Sequence, residues 1–489
     1  MRASLYSLIV TLLTAQLATS RTTTPLELEQ RGTADVLKTY GIPDGVAKSA
    51  SFDVKVRTPG GKWRSIECYK PQVVQTNVFT GGTAKKDSSL VSFDFSGSVE
   101  ISATYKNGAV KTARVRPNSF GITPKKNGTT VKFVLNQPKN VVLQINDEIF
   151  DALHIFTNPI EADTPTANGT DLIYYGPGLH TFTKPINITS GQTMYIAGGA
   201  VISAPGLNFY QVQNAAIRGR GVLATPASTA ISIIRSQNIL LDGVIGINVL
   251  PRSYQSSDVT FQNFRAISSV TWGDGIDVFC SKNILIDNVF LRTSDDSIAF
   301  YNHRDEWVGD NNNITVQNSI LWADVAHPIN MATHGNTQNP ETTDGVVIRN
   351  IDILDHHEKQ VDYQGTIAIN AGDSNLVQNV LIDDVRVEDF RLGQLINLRV
   401  MFNDKYNTSP GRGIHNITVK NLAYQGTNAL MSVLTGYDPD RTIDGVTFYN
   451  LTINGLAIND KMQKPGWYRT SDYVPMVIGP HVKNVVFNP

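Results

Sequence analysis

The segment NILIDNVFL, residues 283–291, is one of ten related segments in this sequence, and their recurrence decides the fold. Each begins with a polar residue or glycine, continues with two to four β-forming residues and a polar pair, and ends in further β-formers. The segments begin at Asn214, Asn238, Asp258, Asn283, Asn313, Gly345, Asn379, Asn416, Gly445 and Asn484. Such a period, about 20–25 residues stretched by loops, is typical of a solenoid. The apolar positions alternate and follow no helical period, so they predict a right-handed parallel β-helix.

Four aspartates fall in two segments that this fold would stack on each other. Asp274 and Asp277 lie in TWGDGIDVF, residues 271–279, and Asp295 and Asp296 lie in TSDDS, residues 293–297. Neighbouring coils of a β-helix are separated by the strand spacing of about 4.8 Å. The 21 residues between Asp274 and Asp295 correspond to one short coil. We therefore expect these carboxylates on one outward face, with a bend or a substrate contact needed to bring in Asp277.

Glycoside hydrolases typically use a pair of carboxyl groups that face each other across a cleft. One protonates the leaving oxygen, and another activates water or attacks the sugar. Crowding helps because like charges push one pKa upward, so that one carboxyl stays protonated while its neighbour is ionised. We predict that Asp274, Asp295 and Asp296 are catalytic, without metal or other cofactor. The candidate substrate-binding residues are Asp277, Trp272, His303, His327 and Arg292.

The same residues have structural interpretations, which the sequence leaves open. Adjacent aspartates are common in turns, where they accept backbone N–H bonds, and we assign that role to Asp383 and Asp384. Aspartates also bind Ca²⁺. A histidine such as His327 can equally be a hydrogen-bonded residue of the scaffold. Spacing alone does not decide between these roles and catalysis.

The first third of the chain differs from the repeats. Residues 1–20, MRASLYSLIVTLLTAQLATS, have a basic start, a short apolar run and small residues, which predicts a signal peptide and secretion. Residues 21–157 contain short strands with turn signals and predict a β-sandwich. Within it, VEISATYKNGAVKTARVRP (99–117) and TVKFVLNQPKNVVLQIND (130–147) each predict a strand pair, the first around an Asn-Gly turn. Residues 158–489 are the predicted β-helix and catalytic domain.

Composition narrows the possible partners. With 42 basic and 43 acidic residues the formal charge is −1, which excludes a basic nucleic-acid footprint. Beyond residue 20 no apolar run is long enough to cross a membrane. We expect a monomer whose partner is a polysaccharide. Cys68 and Cys280 are expected to be separate thiols. N-glycosylation motifs, which suit a secreted protein, occur at Asn127, Asn168, Asn187, Asn313, Asn407, Asn416 and Asn450.

The segments GDGIDV (273–278) and TSDDS (293–297) resemble the catalytic region of two families of parallel β-helix glycoside hydrolases. These are family 28, the polygalacturonases, and family 49, the dextranases and isopullulanases. Residues 113–148, 152–161 and 176–202 resemble the end of the family 49 N-terminal sandwich and its passage into the β-helix. The resemblance to family 49 thus covers most of the mature chain, whereas polygalacturonases generally lack such a sandwich.

The resemblance implies that Asp295 is the general acid and that Asp274 and Asp296 hold and activate the water, with inversion at the anomeric carbon. This chain has Gly273 where the families show Thr, and Ser294 where family 49 has a carboxylate. The Arg-x-Lys element with which polygalacturonases bind uronate has only a poor counterpart at Arg399, which favours a neutral glucan.

The predicted protein is therefore a secreted inverting hydrolase that cleaves internal α-glycosidic bonds of a glucan such as dextran or pullulan. The alternatives are a pectin-degrading hydrolase, a polysaccharide lyase on the same fold, and a carbohydrate-binding protein without catalysis. The lyase would require Ca²⁺ and an Arg or Lys base.

Overall fold

The computed structural model describes residues 35–165 and 169–489. Within these ranges the chain forms strands joined by turns, and the only helical elements are two short 3₁₀ helices, Asn118–Phe120 and Thr470–Tyr473. The predicted all-β class is confirmed. The predicted signal peptide, residues 1–20, and the predicted glycosylation site Asn168 lie outside the described residues.

The first sheet, which we call the N-terminal sheet, has ten strands: nine form one hydrogen-bonded path, and Val36–Thr39 pairs with Ser89–Ser96 off that path. The strands are Val36–Thr39, Lys48–Arg57, Arg64–Tyr69, Ser89–Ser96, Val99–Tyr105, Ala113–Arg116, Lys125–Asn127, Thr130–Leu135, Val141–Ile145 and Glu148–Asn158. All pairings are antiparallel except that of Glu148–Asn158 with Ser89–Ser96. A separate hairpin pairs Gln72–Thr76 with Thr83–Asp87. One apolar core fills this region, and a division into two facing sheets stays a prediction.

Both strand pairs predicted in this region are wrong. Val99–Tyr105 pairs with Lys48–Arg57 and Thr130–Leu135, while Ala113–Arg116 pairs with Val141–Ile145. Gly108 has a positive φ of 145°, but Asn107 does not adopt a positive φ, so the tight turn of a two-residue hairpin does not form. Instead of pairing with each other, the two strands of the predicted hairpin pair with strands that are distant in the sequence.

The second sheet is a parallel β-helix of 29 strands, as the repeats predicted. The pairings arrange the strands in three columns, in which each strand stacks on its counterpart in the next coil. The first column contains Leu172–Tyr175, Thr193–Ile196, Gln213–Gly219, Gln237–Asp242, Ser257–Gln262, Lys282–Asp287, Ile443–Tyr449 and Val482–Asn488. The second contains Gly178–Thr181, Ala200–Ser203, Arg265–Ile267, Phe290–Thr293 and Leu451–Ile453, and the last of these pairs antiparallel with Leu456–Ile458. The third contains Ile186–Ile188, Gly206–Tyr210, Ile276–Phe279, Ile298–Tyr301, Ile329–Met331, Ile367–Ala371, Ile396–Val400, Ser432–Thr435 and Met476–Ile478.

Six longer strands complete the β-helix by running through two columns. Val222–Ile234 and Ile245–Tyr254 span the second and third columns. Asn311–Ala323, Thr342–Asp355, Leu376–Glu388 and Gly413–Gln425 span the first and second. Two small sheets lie beside the coils: His303–Arg304 with Trp307–Val308, and Gly393–Gln394 with Ala429–Leu430.

The recurring asparagine at the start of each repeat has a physical cause. Asn238, Asn283, Asn313 and Asn416 all have φ between 52° and 55°, a left-handed conformation that Asn tolerates better than most residues. Their side-chain amides also donate to the same position of the preceding coil, as Asn313 does to Asn283 at 2.9 Å. The repeat therefore marks a turn that both the backbone and a side-chain ladder require.

The N-terminal sheet packs against the second column. A buried apolar layer joins Leu90, Val142 and Phe156 of the sheet to Phe290 and Trp322 of the coils, among others. The second column consequently buries side chains on both of its faces, whereas the third column is free to present polar side chains outward. No helix in the described ranges is long and apolar enough to cross a membrane.

The predicted modification sites differ in accessibility. Asn127, Asn187, Asn313, Asn416 and Asn450 are exposed. Asn407 is buried and its amide donates to the carbonyl of Thr333, so the predicted glycosylation at Asn407 is wrong for the folded protein. Cys68 and Cys280 are buried free thiols, as the sequence indicated.

Candidate active site

The third column brings the predicted catalytic residues together. Strand Ile276–Phe279 stacks on Ile298–Tyr301, with Asp277 paired to Ala299. In the turn before these strands the Gly275 amide donates to the Asp296 carbonyl at 2.9 Å. One coil further, the Ser297 amide donates to the His327 carbonyl at 2.7 Å. Asp274, Asp296 and His327 thus occupy corresponding turns of three consecutive coils.

Asp296 is a buried carboxylate surrounded by donors. Its Oδ1 accepts from the backbone N–H of His327 at 3.0 Å and from Nδ1 of that ring at 2.7 Å. Its Oδ2 accepts from Asn330 at 2.8 Å and from the Tyr301 hydroxyl at 3.1 Å. Burial would raise the pKa of Asp296, but the charge of His327 and these hydrogen bonds outweigh it and lower the pKa. Asp296 is therefore held as an anion.

His327 carries the matching positive charge. Nδ1 faces the Asp296 carboxylate and Nε2 faces the carbonyl of Tyr363, and neither acceptor has a proton to give. Both ring nitrogens must therefore donate, which makes the ring an imidazolium. Burial would lower the pKa of His327, but Asp296 raises it to about 9. His327 is fully buried between these partners, so the predicted contact with substrate is wrong; it holds Asp296 instead.

Asp295 has the opposite electrostatics from its neighbour. It is only partly buried, and its Oδ1 accepts a hydrogen bond from the Asp296 amide at 3.0 Å. Burial and the negative charge of Asp296 raise the pKa of Asp295 well above its usual value. This carboxyl therefore retains a proton at a pH where Asp296 is ionised.

Asp274 and Asp277 share one cation, Arg252, on the preceding coil. The Arg252 Nε–Asp277 Oδ2 distance is 3.0 Å, and the distance from Nη2 to Asp274 Oδ2 is 3.9 Å. Burial raises the pKa of Asp277 to about 6 against the opposing effect of Arg252. Burial and the other three carboxylates raise the pKa of Asp274 well above its usual value. Asp277 is almost fully buried, so it positions Arg252 rather than facing the solvent.

The remaining predicted residues lie at different places. Trp272, two residues before Asp274, is 74% exposed and available for contact. His303 lines an open cleft of about 520 Å³ together with His334 and Tyr406. The His334 ring contacts that of Tyr301 at 4.9 Å between centroids, so this cleft adjoins the donors of Asp296.

Arg292 does not belong to this site, and its prediction as a substrate-binding residue is wrong. Its side chain has no exposed surface and forms a bidentate pair with Asp324 at 2.8 and 3.1 Å. The physical reason is the alternation of strand Phe290–Thr293: Leu291 points into the β-helix core, so Arg292 points outward, where the N-terminal sheet covers the second column.

Sequence reasoning missed three members of the site, Arg252, Tyr301 and Asn330. They lie outside the aspartate segments, and Asn330 follows Asp296 by 34 residues, more than one ordinary coil. A usable signal was the register, because Arg252, Asp277, Ala299 and Asn330 stack in one row of the third column. In residues 35–165 and 169–489 no group of three or more His, Cys, Asp or Glu side chains is arranged to hold a metal ion.

The fold is shared with known structures, although sequence comparison identifies no relative. No protein-family model and no curated protein sequence matches the chain. Dex49A from Penicillium minioluteum matches with a TM-score of 0.53 at 12% identity, over 92% of this chain and 96% of that one.

Two solved structures with lower scores are exopolygalacturonases. That of Yersinia enterocolitica, a family 28 enzyme, has a TM-score of 0.45 at 11% identity, covering 86% of this chain and 98% of the other. That of Thermotoga maritima has 0.44 at 14% identity, covering 65% and 83%. The match with Dex49A confirms the resemblance to the parallel β-helix glycoside hydrolases for the fold.

Proposed function

We propose that this protein is a secreted glycoside hydrolase that cleaves a polysaccharide by acid and base catalysis of aspartates. The observation that carries the proposal is the geometry of an adjacent pair: buried Asp296 has donors on both oxygens, whereas Asp295 is partly exposed, and their pKa values accordingly shift in opposite directions. Carboxyl groups with opposed environments are what general acid catalysis of glycosyl transfer requires. The fixed charge of Asp296 keeps the proton on Asp295.

In the proposed mechanism Asp295 gives its proton to the leaving glycosidic oxygen. Both oxygens of Asp296 are occupied by donors, so its part is to stabilise positive charge that develops on the sugar ring and to sustain the pKa of Asp295. The water-activating base is then Asp274, whose side chain is 20% exposed. Its raised pKa makes it a stronger base once ionised. Attack by this water on the face opposite the leaving group gives inversion.

We propose an α-glucan such as dextran or pullulan as the substrate, with cleavage of internal bonds. Support comes from the resemblance of residues 113–148, 152–161 and 176–202 to the family 49 sandwich and passage, and from the fold shared with Dex49A over 92% of this chain. An open cleft lined by His334, whose ring contacts that of Tyr301, suits a chain that continues past the cleaved bond.

A pectin-degrading hydrolase is the second candidate, and one observation favours it. Arg399 lies on the third column, partly buried, and forms no ion pair among the described residues; its Nε is buried without an acceptor. Burial lowers the pKa of Arg399 while Asp362 opposes that effect. An arginine without an ion-pair partner could donate hydrogen bonds to the carboxylate of a uronic acid.

A substrate panel tests the proposal. The purified protein is incubated with dextran, pullulan and polygalacturonate, and new reducing ends are measured alongside ultraviolet absorbance. Reducing ends from dextran or pullulan support the glucan assignment, and reducing ends from polygalacturonate support the pectin alternative. An absorbing unsaturated product would indicate a lyase, and binding without cleavage would indicate a non-catalytic protein.

The panel includes the variant Asp295→Asn and the control Asp383→Asn. Asp383 belongs to the other Asp-Asp pair and accepts a hydrogen bond from Asn421 at 2.7 Å in an exposed ladder. Only the first change should abolish cleavage. Equal activity in all three proteins would contradict the proposed site.

A further inference from the structure

Arg292, which the active site does not contain, forms a buried ion pair between two of the coils that carry the proposed machinery. Nε and Nη2 of Arg292 donate to Oδ2 and Oδ1 of Asp324 at 2.8 and 3.1 Å, and neither side chain has exposed surface. Arg292 lies three residues before Asp295, and Asp324 lies three residues before His327. Because Arg292 is in register with Trp322, the pair runs diagonally between the two coils and joins the segments that lead into the two turns.

Backbone hydrogen bonds join the same two coils on both sides of these turns. The Asp324 amide donates to the Thr293 carbonyl at 2.8 Å, and the Ser297 amide donates to the His327 carbonyl at 2.7 Å. Between these bonds, the turn bearing Asp295 and Asp296 has only side-chain contacts to the next coil. The position of this turn relative to His327 therefore depends on where the two coils are fixed on either side of it, and the Arg292–Asp324 pair adds a contact on the side before the turn.

The N-terminal sheet holds the arginine in place. Nη1 donates to the Ile149 carbonyl at 2.8 Å, and the guanidinium lies 3.9 Å from the centre of the Trp322 ring. His154 approaches Nη1 at 3.4 Å with Nε2, which is free to accept because Nδ1 faces the carbonyl of Ser89 at 3.1 Å. The sheet thus contacts the active coils through the same residue that pairs them.

A second arginine and a second carboxylate extend the network and leave its net charge unchanged. Arg391 donates to Asp324 at 3.0 Å and to Asp355, on the following coil, at 2.6 Å. Two cations and two anions are thereby joined across four successive coils. Buried ion pairs are poor sources of stability, since apolar residues of the same volume are often as good, and their best-attested use is to fix register.

We propose that the Arg292–Asp324 pair is a positioning clamp that sets the Asp295–Asp296 turn against the His327 turn, and that the N-terminal sheet acts on catalysis through it. The proposal rests on the proposed function for its kinetic consequences. Arg292 touches no reacting group, so it is a positioning residue. The clamp makes the N-terminal sheet part of the catalytic unit rather than an appended binding module.

The test compares Arg292→Lys with a control at an equivalent pair. Arg386 and Asp352 also join consecutive coils through a bidentate contact, at 2.8 and 3.1 Å, but far along the chain from the carboxylates. For Arg292→Lys we expect kcat to fall about 100-fold, as displacement of a reacting group by about 1 Å does. KM should stay close to that of the wild type, and the acidic limb of the pH profile should move upward because Asp296 loses its aligned partner. Arg386→Lys should change none of these.

A double variant guards against loss of folding. Arg292→Met with Asp324→Leu replaces the pair by apolar side chains that can pack in the same space. This protein should keep its thermal transition and yet show the lowered kcat of Arg292→Lys. Full activity in either folded variant would overturn the proposal.

A spectroscopic readout separates this proposal from the proposed function. The low-field proton NMR signal of the His327 Nδ1–H, assigned by its absence in His327→Gln, reports the contact with Asp296 without any substrate. We expect it to be present in the wild type and Arg386→Lys, and to be lost or shifted in Arg292→Lys. An unchanged signal in Arg292→Lys would overturn the clamp. If the signal is lost in Arg292→Lys and the wild type shows no hydrolase activity, the clamp stands and the proposed function is refuted.

Discussion

Asp296 and His327, which lie on consecutive coils, form a buried ion pair with 2.7 Å between Oδ1 and Nδ1. The imidazolium has acceptors on both nitrogens, and the carboxylate has donors on both oxygens. Such a pair has a fixed charge state over a wide pH range. It gives the site one permanent anion, against which the neighbouring carboxyl groups titrate.

The pair makes stability depend on pH in a defined window. The pKa of His327 is raised to about 9 by Asp296, so its contribution to folding is complete below its unfolded pKa of about 6.5 and is lost as pH rises through 9. We expect the free energy of unfolding to fall between these values. In His327→Gln the fall should be smaller, as measured by urea denaturation at a series of pH values. The same slope in both proteins would contradict the assigned charge.

Removal of Arg252 should move the acidic limb of the activity profile to higher pH. Arg252 opposes the raised pKa values of Asp277 and Asp274, so Arg252→Met should raise both further. Because the proposed base Asp274 acts only when ionised, activity should then require a more alkaline solution. The measurement is kcat/KM against pH, with Arg349→Met as the control, since Arg349 donates to Gln317 on the exposed first column. A shift of equal size in the control, or none in Arg252→Met, would contradict the account.

Asp295→Asn should stabilise the protein while it removes activity. The raised pKa of Asp295 means that folding disfavours its ionised form, and an amide has no charge to desolvate. We expect a gain of about 0.5–2 kcal/mol in the free energy of unfolding at neutral pH, and a smaller gain in acid. Denaturant unfolding at both pH values measures it. A loss of stability at neutral pH would contradict the assigned environment.

The β-helix could be predicted because its cause is local and repeats. Asn238, Asn283 and Asn313 each occupy a left-handed turn position and join a ladder, so each coil carries the same mark in the sequence. The stacking of Asp274 near Asp296 followed from the length of one short coil. His327 lies one coil further, where its carbonyl accepts from the Ser297 amide.

The features that could not be predicted depend on which faces of the β-helix other parts of the chain cover. In the sequence, Arg292 cannot be distinguished from an arginine that binds substrate. In the structure, the N-terminal sheet covers its side of the second column. The role of Arg252 depends on the register between coils of unequal length. The hairpin predicted at Asn107 does not form for a related reason: its strands pair with strands far away in the sequence, which local turn signals do not reveal.

The most direct test of the account concerns the proton that Asp295 is proposed to donate. Wild type and Asp295→Asn are compared on the polysaccharide that the panel identifies and on the corresponding glycosyl fluoride, whose leaving group needs no protonation. We predict that the variant loses about 10²–10⁴-fold in kcat/KM on the polysaccharide, the usual contribution of general acid catalysis, and keeps most of its activity on the fluoride. Equal losses on the two substrates, or no loss on the polysaccharide, would contradict the assignment of Asp295 as the acid.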